Sequence, residues 1–307
     1  MNLIICHTPF QMYLFEKILK KYPNEKFHLI NYYFSDTQKR RYYFQRISKF
    51  CSASEAVFCQ NGRSLFFKTY LLSRRLRKKK YDRVFLSSID SVLCQTVLSS
   101  IIFNDLITFD DGLANITPTS VLYLESKTNM MKLADIILRN KYSIKKIKNQ
   151  SLLHYTIFDA QNIISKVEKI NILDFNETSL SSNCSGITLN SQVSVLLGQP
   201  LFSTDLENLE FYTELLSNFK IDFYFPHPRE TYNIENIKYI QTDLIFEEYI
   251  LNLLRENEKI QVYTIFSTAV ISLLDIDRIS VKMISVKKFE ENQIILKKFG
   301  IEEVGYK

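Results

Sequence analysis

The stretch MNLIICHTPFQMYLFEKIL, residues 1–19, contains the unit from which the chain is built. Residues 3–6 are apolar and predict a buried strand, and Thr8-Pro9 predicts the start of a helix with apolar residues at every third or fourth position. Apolar runs then alternate with helical segments, the runs at 27–33, 57–59, 84–86 and 106–109 and the helices near 37–53, 64–80 and 90–102. This alternation predicts a mainly parallel sheet with helices on both faces.

A second series of the same kind follows a polar segment at 176–185. Its predicted strands lie at 193–197, 221–225, 239–241, 261–265 and 281–286, and its helices near 205–218, 245–256, 268–274 and 288–298. We therefore expect an α/β protein with two doubly wound, Rossmann-type domains facing a central cleft. The expected bounds are 1–155 for the first domain, 156–190 for a linker region, and 191–307 for a second domain with a C-terminal helix.

Charge and composition narrow the class of partner. The formal net charge of +6 over 307 residues is too small to indicate nucleic-acid binding, but it suits a phosphorylated ligand or an anionic membrane surface. Much of the excess lies in two basic runs, at 74–80 and 141–148. Solvated helix ends explain such runs, and attraction to lipid or to an anionic ligand is the competing interpretation.

Cysteines and hydropathy predict the compartment. The five cysteines are scattered and odd in number, which favours a reducing compartment over a disulfide framework or a zinc site. The start of the chain has no signal-peptide pattern, and no run approaches the roughly 20 apolar residues that cross a bilayer. We expect a cytoplasmic protein, at most peripheral at a membrane.

His227 is the most distinctive candidate for a functional residue. In Pro226-His227-Pro228-Arg229 it lies between two prolines, which restrict the backbone just past a predicted strand. Ligands of α/β sheets bind at this end of the strands. The alternative is a loop histidine that serves only the geometry of the turn.

Three further motifs follow predicted strands. In Asp110-Asp111-Gly112 adjacent side chains point to opposite sides, so at most one carboxylate needs to face a cleft, and an Asx turn or helix N-cap is the alternative. Gly198 precedes Asp205, which by position alone is an ordinary N-terminal helix acid. Ser267 and Thr268 open a predicted helix, where backbone N–H groups and hydroxyls could hold a phosphate or simply cap the helix.

Several common signatures are absent from the sequence. There is no G-x-G-x-x-G, no G-K-[ST] loop, no C-x-x-C and no H-E-x-x-H, which argues against nicotinamide and P-loop chemistry. Asp275-Ile276-Asp277 has the D-x-D spelling of metal-dependent sugar transferases, but it follows a short predicted helix, where surface aspartates are common.

The ordered set of motifs resembles the bacterial lipooligosaccharide sialyltransferases of glycosyltransferase family 52. The resemblance runs from about residue 3 to residue 286 and depends on five segments, at 108–112, 154–158, 196–198, 226–229 and 266–267. It implies a GT-B-like fold, inverting transfer from CMP-N-acetylneuraminic acid to a terminal galactose, an acceptor-side first domain, a donor-binding second domain, and no cofactor or essential metal. A galactose-terminated glycan or lipooligosaccharide would be the acceptor. Separately from the resemblance, we expect the basic residues to allow peripheral contact with an anionic membrane, at the cytoplasmic face of the inner membrane, and we expect a homodimer.

The resemblance also implies residue roles. Asp205 matches the family's general base and His227 its general acid, while related families place the base at Asp111. Four extra residues, 201–204, precede Asp205 in this chain and weaken that match. The remaining implied residues are Gly198, Pro228, Arg229, Phe266, Ser267 and Thr268 near the donor, and Thr8, Pro9, Gln11, Asp110 and Gly112 on the acceptor side.

Two other hypotheses keep the same fold. A relative that uses another sugar nucleotide, such as a UDP-hexose, is possible on this sequence because no residue can be identified as selecting the carboxylate of sialic acid. A non-catalytic binder of glycan or nucleotide is the third hypothesis, and the intact Asp111, Asp205, His227 and Ser267 argue against it.

Overall fold

A computed structural model describes residues 1–117, 120–124, 128–172 and 190–306 of the chain. The chain divides into two compact units, Met1–Ile172 and Leu173–Lys307. The first unit includes β7, which lies within the predicted linker region 156–190. The polar segment 176–185, with Cys184, lies outside the described residues.

The first unit is a seven-stranded parallel sheet in the order β3-β2-β1-β4-β5-β6-β7. Its elements are β1 (Asn2–Cys6), α1 (Pro9–Leu19), β2 (Phe27–Tyr33), α2 (Gln38–Ser48), β3 (Ala53–Phe58), α3 (Gly62–Leu76), β4 (Lys80–Leu86), α4 (Val92–Ser100), β5 (Ile102–Phe109), α5 (Val121–Leu124), α6 (Asn129–Leu138), α7 (Ile144–Gln150), β6 (Ser151–Thr156) and β7 (Val167–Lys169).

The second unit is a six-stranded parallel sheet in the order β10-β9-β8-β11-β12-β13. Its elements are β8 (Asn190–Leu197), α8 (Asp205–Asn218), β9 (Phe223–Phe225), β10 (Lys238–Tyr239), α9 (Phe246–Leu253), β11 (Asn257–Thr264), a 3₁₀ helix (Thr268–Leu273), β12 (Ile279–Ser285), a 3₁₀ turn (Lys287–Phe289), α10 (Glu290–Lys298) and β13 (Glu302–Gly305).

The first core forms because the central strands are apolar on both faces. Every residue of β1 is buried, as parallel strands covered by helices on both sides require. On one face, Phe15 of α1 packs against Phe27, Phe85 and Phe109 with ring centroids 5.1–5.9 Å apart. The helix predicted after Thr8-Pro9 therefore packs against β2, β4 and β5.

The second core contains an unusual share of tyrosine. Tyr212 of α8 and Tyr224 of β9 are fully buried, and their rings meet edge to face with centroids 5.5 Å apart. A buried tyrosine needs a partner for its hydroxyl. The Tyr212 hydroxyl donates to the Gln199 carbonyl in the loop after β8, and the Tyr224 hydroxyl donates to the Glu230 carboxyl in the loop after β9. These tyrosines therefore fill the core and also hold both loops.

The structure differs from the sequence prediction at short elements. It adds the strands β6, β7 and β13, and it places α5, α6 and α7 in residues that carry no predicted element. The helix predicted at 268–274 is a 3₁₀ helix at Thr268–Leu273. The edge strands β7 and β13 are short and owe their conformation to pairing with a neighbour, which local periodicity does not reveal.

Candidate active site

Each sheet has one point where the strand order reverses. In the first unit it lies between β1 and β4, and in the second between β8 and β11. Ligands of open parallel sheets bind outside the carboxyl ends of the strands at these points. The sequence motifs around Gln11 and Gly198 both begin there.

At the first switch point, Gln11 connects three segments. Thr8 caps α1 by accepting a hydrogen bond from the Gln11 N–H at 3.2 Å, and the Gln11 side-chain oxygen accepts from the His7 N–H at 2.6 Å. The fully buried Gln11 amide then donates to Ser88 Oγ at 3.0 Å and to the Asp111 carboxylate. With Pro9 in the first turn, the capped helix start holds Gln11 in this position.

Asp111 lines a cavity of about 430 Å³ at this switch point. Its backbone N–H donates to Asn115 Oδ1 at 2.8 Å, and Gly112 follows with a φ of 68°, in the left-handed region that favours glycine. The chain therefore turns directly after β5. This turn leaves the Asp111 carboxylate facing the cavity, beside His7 and Asp90 in the wall.

Asp110 points the opposite way, into the core. It is fully buried, and its two oxygens accept from His154 Nε2 at 3.0 Å and from the Ile157 N–H at 2.7 Å. His154 is also fully buried and bonds Thr108 Oγ1 through Nδ1 at 2.8 Å. This network joins β5 to β6, so Asp110 and the motif at 154–158 support the turn at Asp111 from within the core.

At the second switch point, Gly198 provides the space for a packed carboxyl group. A methyl group at Gly198 would overlap the Tyr224 hydroxyl and lie 2.5 Å from Glu230 Oε1. The Tyr224 hydroxyl donates to Glu230 Oε2 at 3.0 Å. Burial raises the pKa of Glu230 to about 7, so this carboxyl can exist in its neutral form close to neutral pH.

Glu230 holds the histidine motif in place. Its Oε1 accepts from the His227 N–H at 3.0 Å, and its own N–H donates to the His227 carbonyl at 3.0 Å. The Arg229 N–H donates to His227 Nδ1 at 3.1 Å. With Nδ1 acting as an acceptor, the ring proton belongs on Nε2, which makes Nε2 the hydrogen-bond donor of the ring.

Asp205 lies beside the same loop. It is the first residue of α8, whose N-cap is Thr204, and its carboxylate is exposed. Both carboxylate oxygens lie 2.7 Å from the hydroxyl of Thr231, four residues after His227. The second unit alone therefore brings the candidate base and the candidate acid onto adjoining segments, joined by Thr231.

Gln199 links the two strands that flank the switch point. Its backbone carbonyl accepts from the hydroxyls of Tyr212 at 2.8 Å and Tyr232 at 3.2 Å, and its side-chain oxygen accepts from the Phe266 N–H at 3.1 Å. Ser267 follows, half-buried, with its N–H donating to Thr264 Oγ1 at 2.9 Å. Its hydroxyl makes no capping bond to the 3₁₀ helix that Thr268 begins.

The other candidate residues lie at the surface. Pro228 and Arg229 are exposed on the histidine loop. Asp275 and Asp277 are exposed after the 3₁₀ helix, and the described residues contain no group of three or more His, Cys, Asp or Glu side chains placed to hold a metal ion. In the same ranges, no helix has the length and apolar character to cross a membrane.

Sequence reasoning missed Gln199, Glu230 and the tyrosines that hold them. Glu230 directly follows Pro226-His227-Pro228-Arg229, so its position was visible, but a surface glutamate and a buried one look alike in sequence. The one available signal was the clustering of tyrosines, at 212, 224 and 232, around these motifs. Their hydroxyls are the polar partners that a half-buried carboxyl requires.

The fold is that of GT-B glycosyltransferases, with two Rossmann-like parallel-sheet domains in one chain. The glycosyltransferase of kitacinnamycin matches with a TM-score of 0.54 and 8% identity, over 99% of this chain and 86% of that one. UGT89C1 from Arabidopsis thaliana matches with a TM-score of 0.50 and 11% identity, over 99% and 85% of the two chains. At such low identity the likeness concerns the fold alone.

Sequence comparison places the chain more narrowly. The model of glycosyltransferase family 52 matches residues 24–288, and the chain belongs to this family. A CMP-N-acetylneuraminate:beta-galactoside alpha-2,3-sialyltransferase of Pasteurella multocida is 37% identical, over 90% of this chain and 88% of the relative. An N-acetyllactosaminide alpha-2,3-sialyltransferase of Haemophilus influenzae is 33% identical, over 92% of each chain. The family resemblance read from the five sequence motifs is thus confirmed.

Proposed function

We propose that this protein is an inverting, metal-independent sialyltransferase that moves N-acetylneuraminic acid from CMP-N-acetylneuraminic acid to a terminal galactose in α-2,3 linkage. The observation that carries the proposal is the 33–37% identity, over about nine-tenths of the chain, to relatives named as α-2,3-sialyltransferases. The proposed acceptor is lipooligosaccharide or a similar surface glycan, modified at the cytoplasmic face of the inner membrane. A homodimer is part of the same proposal.

The proposed chemistry uses Asp205 and His227. The Asp205 carboxylate takes the proton of the galactose hydroxyl as that oxygen bonds to the anomeric carbon of the donor, and the bond from that carbon to the CMP phosphate oxygen breaks. His227 Nε2 donates a hydrogen bond to the departing phosphate oxygen and stabilises its negative charge, so CMP leaves as the anion while the ring keeps its proton. The arrangement supports this division because Nδ1 already accepts the Arg229 N–H, and Asp205 adjoins the loop through Thr231.

The proposed binding roles follow the two switch points. In the second unit, Gly198, Pro228, Arg229, Phe266, Ser267 and Thr268 would contact CMP, with the Ser267 hydroxyl left free of a capping bond. In the first unit, the cavity beside Asp111 would take the acceptor sugar, with Thr8, Pro9 and Gly112 shaping its turns and Gln11 holding the carboxylate. Asp111 remains the second candidate for the base.

The test measures CMP release and sialylated lactose by mass spectrometry, with and without EDTA. We expect EDTA-resistant product from the wild-type protein, and a drop in turnover of about 10²–10⁴ for His227→Ala and for Asp205→Asn. Asp277→Asn removes an exposed carboxylate of the same unit as a matched control and should keep full turnover.

Three results would contradict parts of the proposal. If Asp205→Asn kept full turnover and Asp111→Asn lost turnover, the general base would be Asp111 in the first unit. If EDTA abolished product formation and Asp277→Asn also lost turnover, the reaction would be metal-dependent. Stabilisation of the protein against heat by UDP and not by CMP would replace the donor with another sugar nucleotide.

A further inference from the structure

Helix α6 exposes an apolar face on the first unit. Of its ten residues only Leu138 is buried, although the helix packs against α3 and α4. Met130, Leu133 and Ile136 are 83%, 58% and 73% exposed. Isolated apolar side chains at a surface are ordinary, but a row of them along one helix indicates a binding surface for a protein, a ligand or a membrane.

The neighbouring helix extends this face. Phe67 and Leu71 of α3 are also exposed, and they lie one turn apart on the helix against which α6 packs. Two adjacent helices thus present apolar side chains to solvent.

A strongly basic cavity of about 670 Å³ lies at the C-terminal end of α6. Its wall is formed by α3, α6 and the start of β5, and its residues in the described part of the chain include five cations and no carboxylate: Arg74, Arg77, Lys78, Arg139 and Lys141. These cations come from both basic runs of the sequence and from the left-handed residue that ends α6. The fold therefore gathers charges that are about 60 positions apart in the chain beside the apolar face.

We propose that α6, with the exposed face of α3 and this basic cavity, is the surface by which the protein binds an anionic lipid bilayer. Apolar side chains on a surface helix enter the boundary between headgroups and acyl chains, while flanking cations meet lipid phosphates. A second copy of the chain fits less well, because symmetric pairing of this face brings the same five cations opposite one another.

This surface also gives α6 a second role, which rests on the proposed function. Met131, Ala134 and Asp135, on the inner side of α6, line the cavity that contains Asp111. One helix, about 10 Å across, therefore separates the proposed acceptor cavity from the proposed lipid surface. A glycan attached to a membrane lipid would meet its cavity beside the bilayer.

The experiment is co-sedimentation of the full-length protein with vesicles of phosphatidylcholine, with and without 30% phosphatidylglycerol. We expect binding to the anionic vesicles only, and weaker binding in 0.5 M salt. The variant Leu133→Ser/Ile136→Ser should bind about 10- to 100-fold more weakly, and Arg77→Gln/Lys141→Gln about fivefold more weakly for each cation removed. All four side chains are exposed or line the open cavity, so the variants should fold.

The matched controls lie in the second unit. Ile294→Ser removes an exposed apolar side chain, and Lys259→Gln/Lys298→Gln removes two exposed cations, so both should bind vesicles like the wild type. Transfer to free lactose should be unchanged in the α6 variant, while transfer to a vesicle-embedded glycolipid should fall with binding. Vesicle binding is measured without sugar transfer, so this test stays valid even if the protein lacks the proposed sialyltransferase activity.

Two outcomes would overturn the inference. Equal binding of the wild type to neutral and anionic vesicles, or equal binding of wild type and both α6-surface variants, would exclude this surface. Absence of vesicle binding, with a dimer that dissociates only in Leu133→Ser/Ile136→Ser, would assign the face to a second copy of the chain.

Discussion

The substitution Gly198→Ala is a direct test of how the second unit holds the loop that carries His227. A Cβ at this position would lie 2.5 Å from Glu230 Oε1, about 0.9 Å inside the 3.4 Å at which ordinary contact begins, and it would also overlap the Tyr224 hydroxyl. Tyr224 is fully buried and its hydroxyl is bonded to Glu230, so the ring and the Glu230 carboxyl have to shift together. Overpacking of this kind costs about 1–3 kcal/mol of unfolding free energy.

The effect on turnover should exceed the effect on stability. Glu230 accepts the His227 N–H, so a shift of Glu230 by nearly 1 Å moves the loop that carries the imidazole. If His227 has the proposed catalytic role, a displacement of this size costs about 10²-fold in rate. We expect Gly198→Ala to remain folded at 25 °C, to lose about 10²-fold in kcat for CMP release, and to unfold at lower urea concentration.

Gly305→Ala is the matched control, because a Cβ there meets nothing within 4 Å and the residue lies in the same unit. It should keep wild-type turnover and unfold within about 0.5 kcal/mol of the wild type. If Gly198→Ala behaved like Gly305→Ala in both assays, the packing argument would be refuted. Lower stability with unchanged kcat would refute the link from Glu230 to His227.

Two further predictions concern buried carboxyl groups. The pKa of Glu230 is raised from its usual 4.5 to about 7, so the contribution of Glu230 to stability is complete below pH 4.5 and is lost as the pH rises through 7. This contribution should amount to about 1–2 kcal/mol after allowance for solvent screening. Glu230→Gln should remove this part of the pH dependence of unfolding in urea titrations. Asp110→Ala leaves His154 and the Ile157 N–H without their buried partner and should cost about 3–5 kcal/mol of unfolding free energy. Asp105→Ala removes a partly exposed carboxylate of β5, the strand that precedes Asp110, and should cost less than about 1 kcal/mol. Equal urea midpoints for the two variants would show that the buried network adds no stability.

Local patterns in the sequence were sufficient for the main elements of both sheets. The helix predicted at 205–218 and the strand predicted at 27–33 have the same bounds in the structure. Thr8-Pro9 begins α1 as expected, and Asp110 and Asp111 point to opposite sides. These features depend on residues only a few positions apart, through hydrophobic periodicity, capping and strand alternation.

The supporting residues of the site depended on distant parts of the chain. The sequence does not distinguish the buried Asp110 from a ligand-facing acid, because its partner His154 is 44 positions away. The same holds for Glu230, whose neighbour Gly198 follows a different strand and is 32 positions away, although the motif that Glu230 follows was recognised. Burial and hydrogen bonding across strands decide these roles, and neither leaves a local pattern.

The sequence by itself therefore determined the class of fold, the family and the ends of strands where the candidate residues lie, because these follow from periodicity and from ordered motifs. Only the tertiary structure decided which polar residues are buried and which faces remain open. The apolar residues of α6 would suit a core helix, and nothing in their spacing shows that packing leaves Leu133 and Ile136 in solvent. Exposure is a property of the assembled domain, since it depends on which other elements reach that side of the helix.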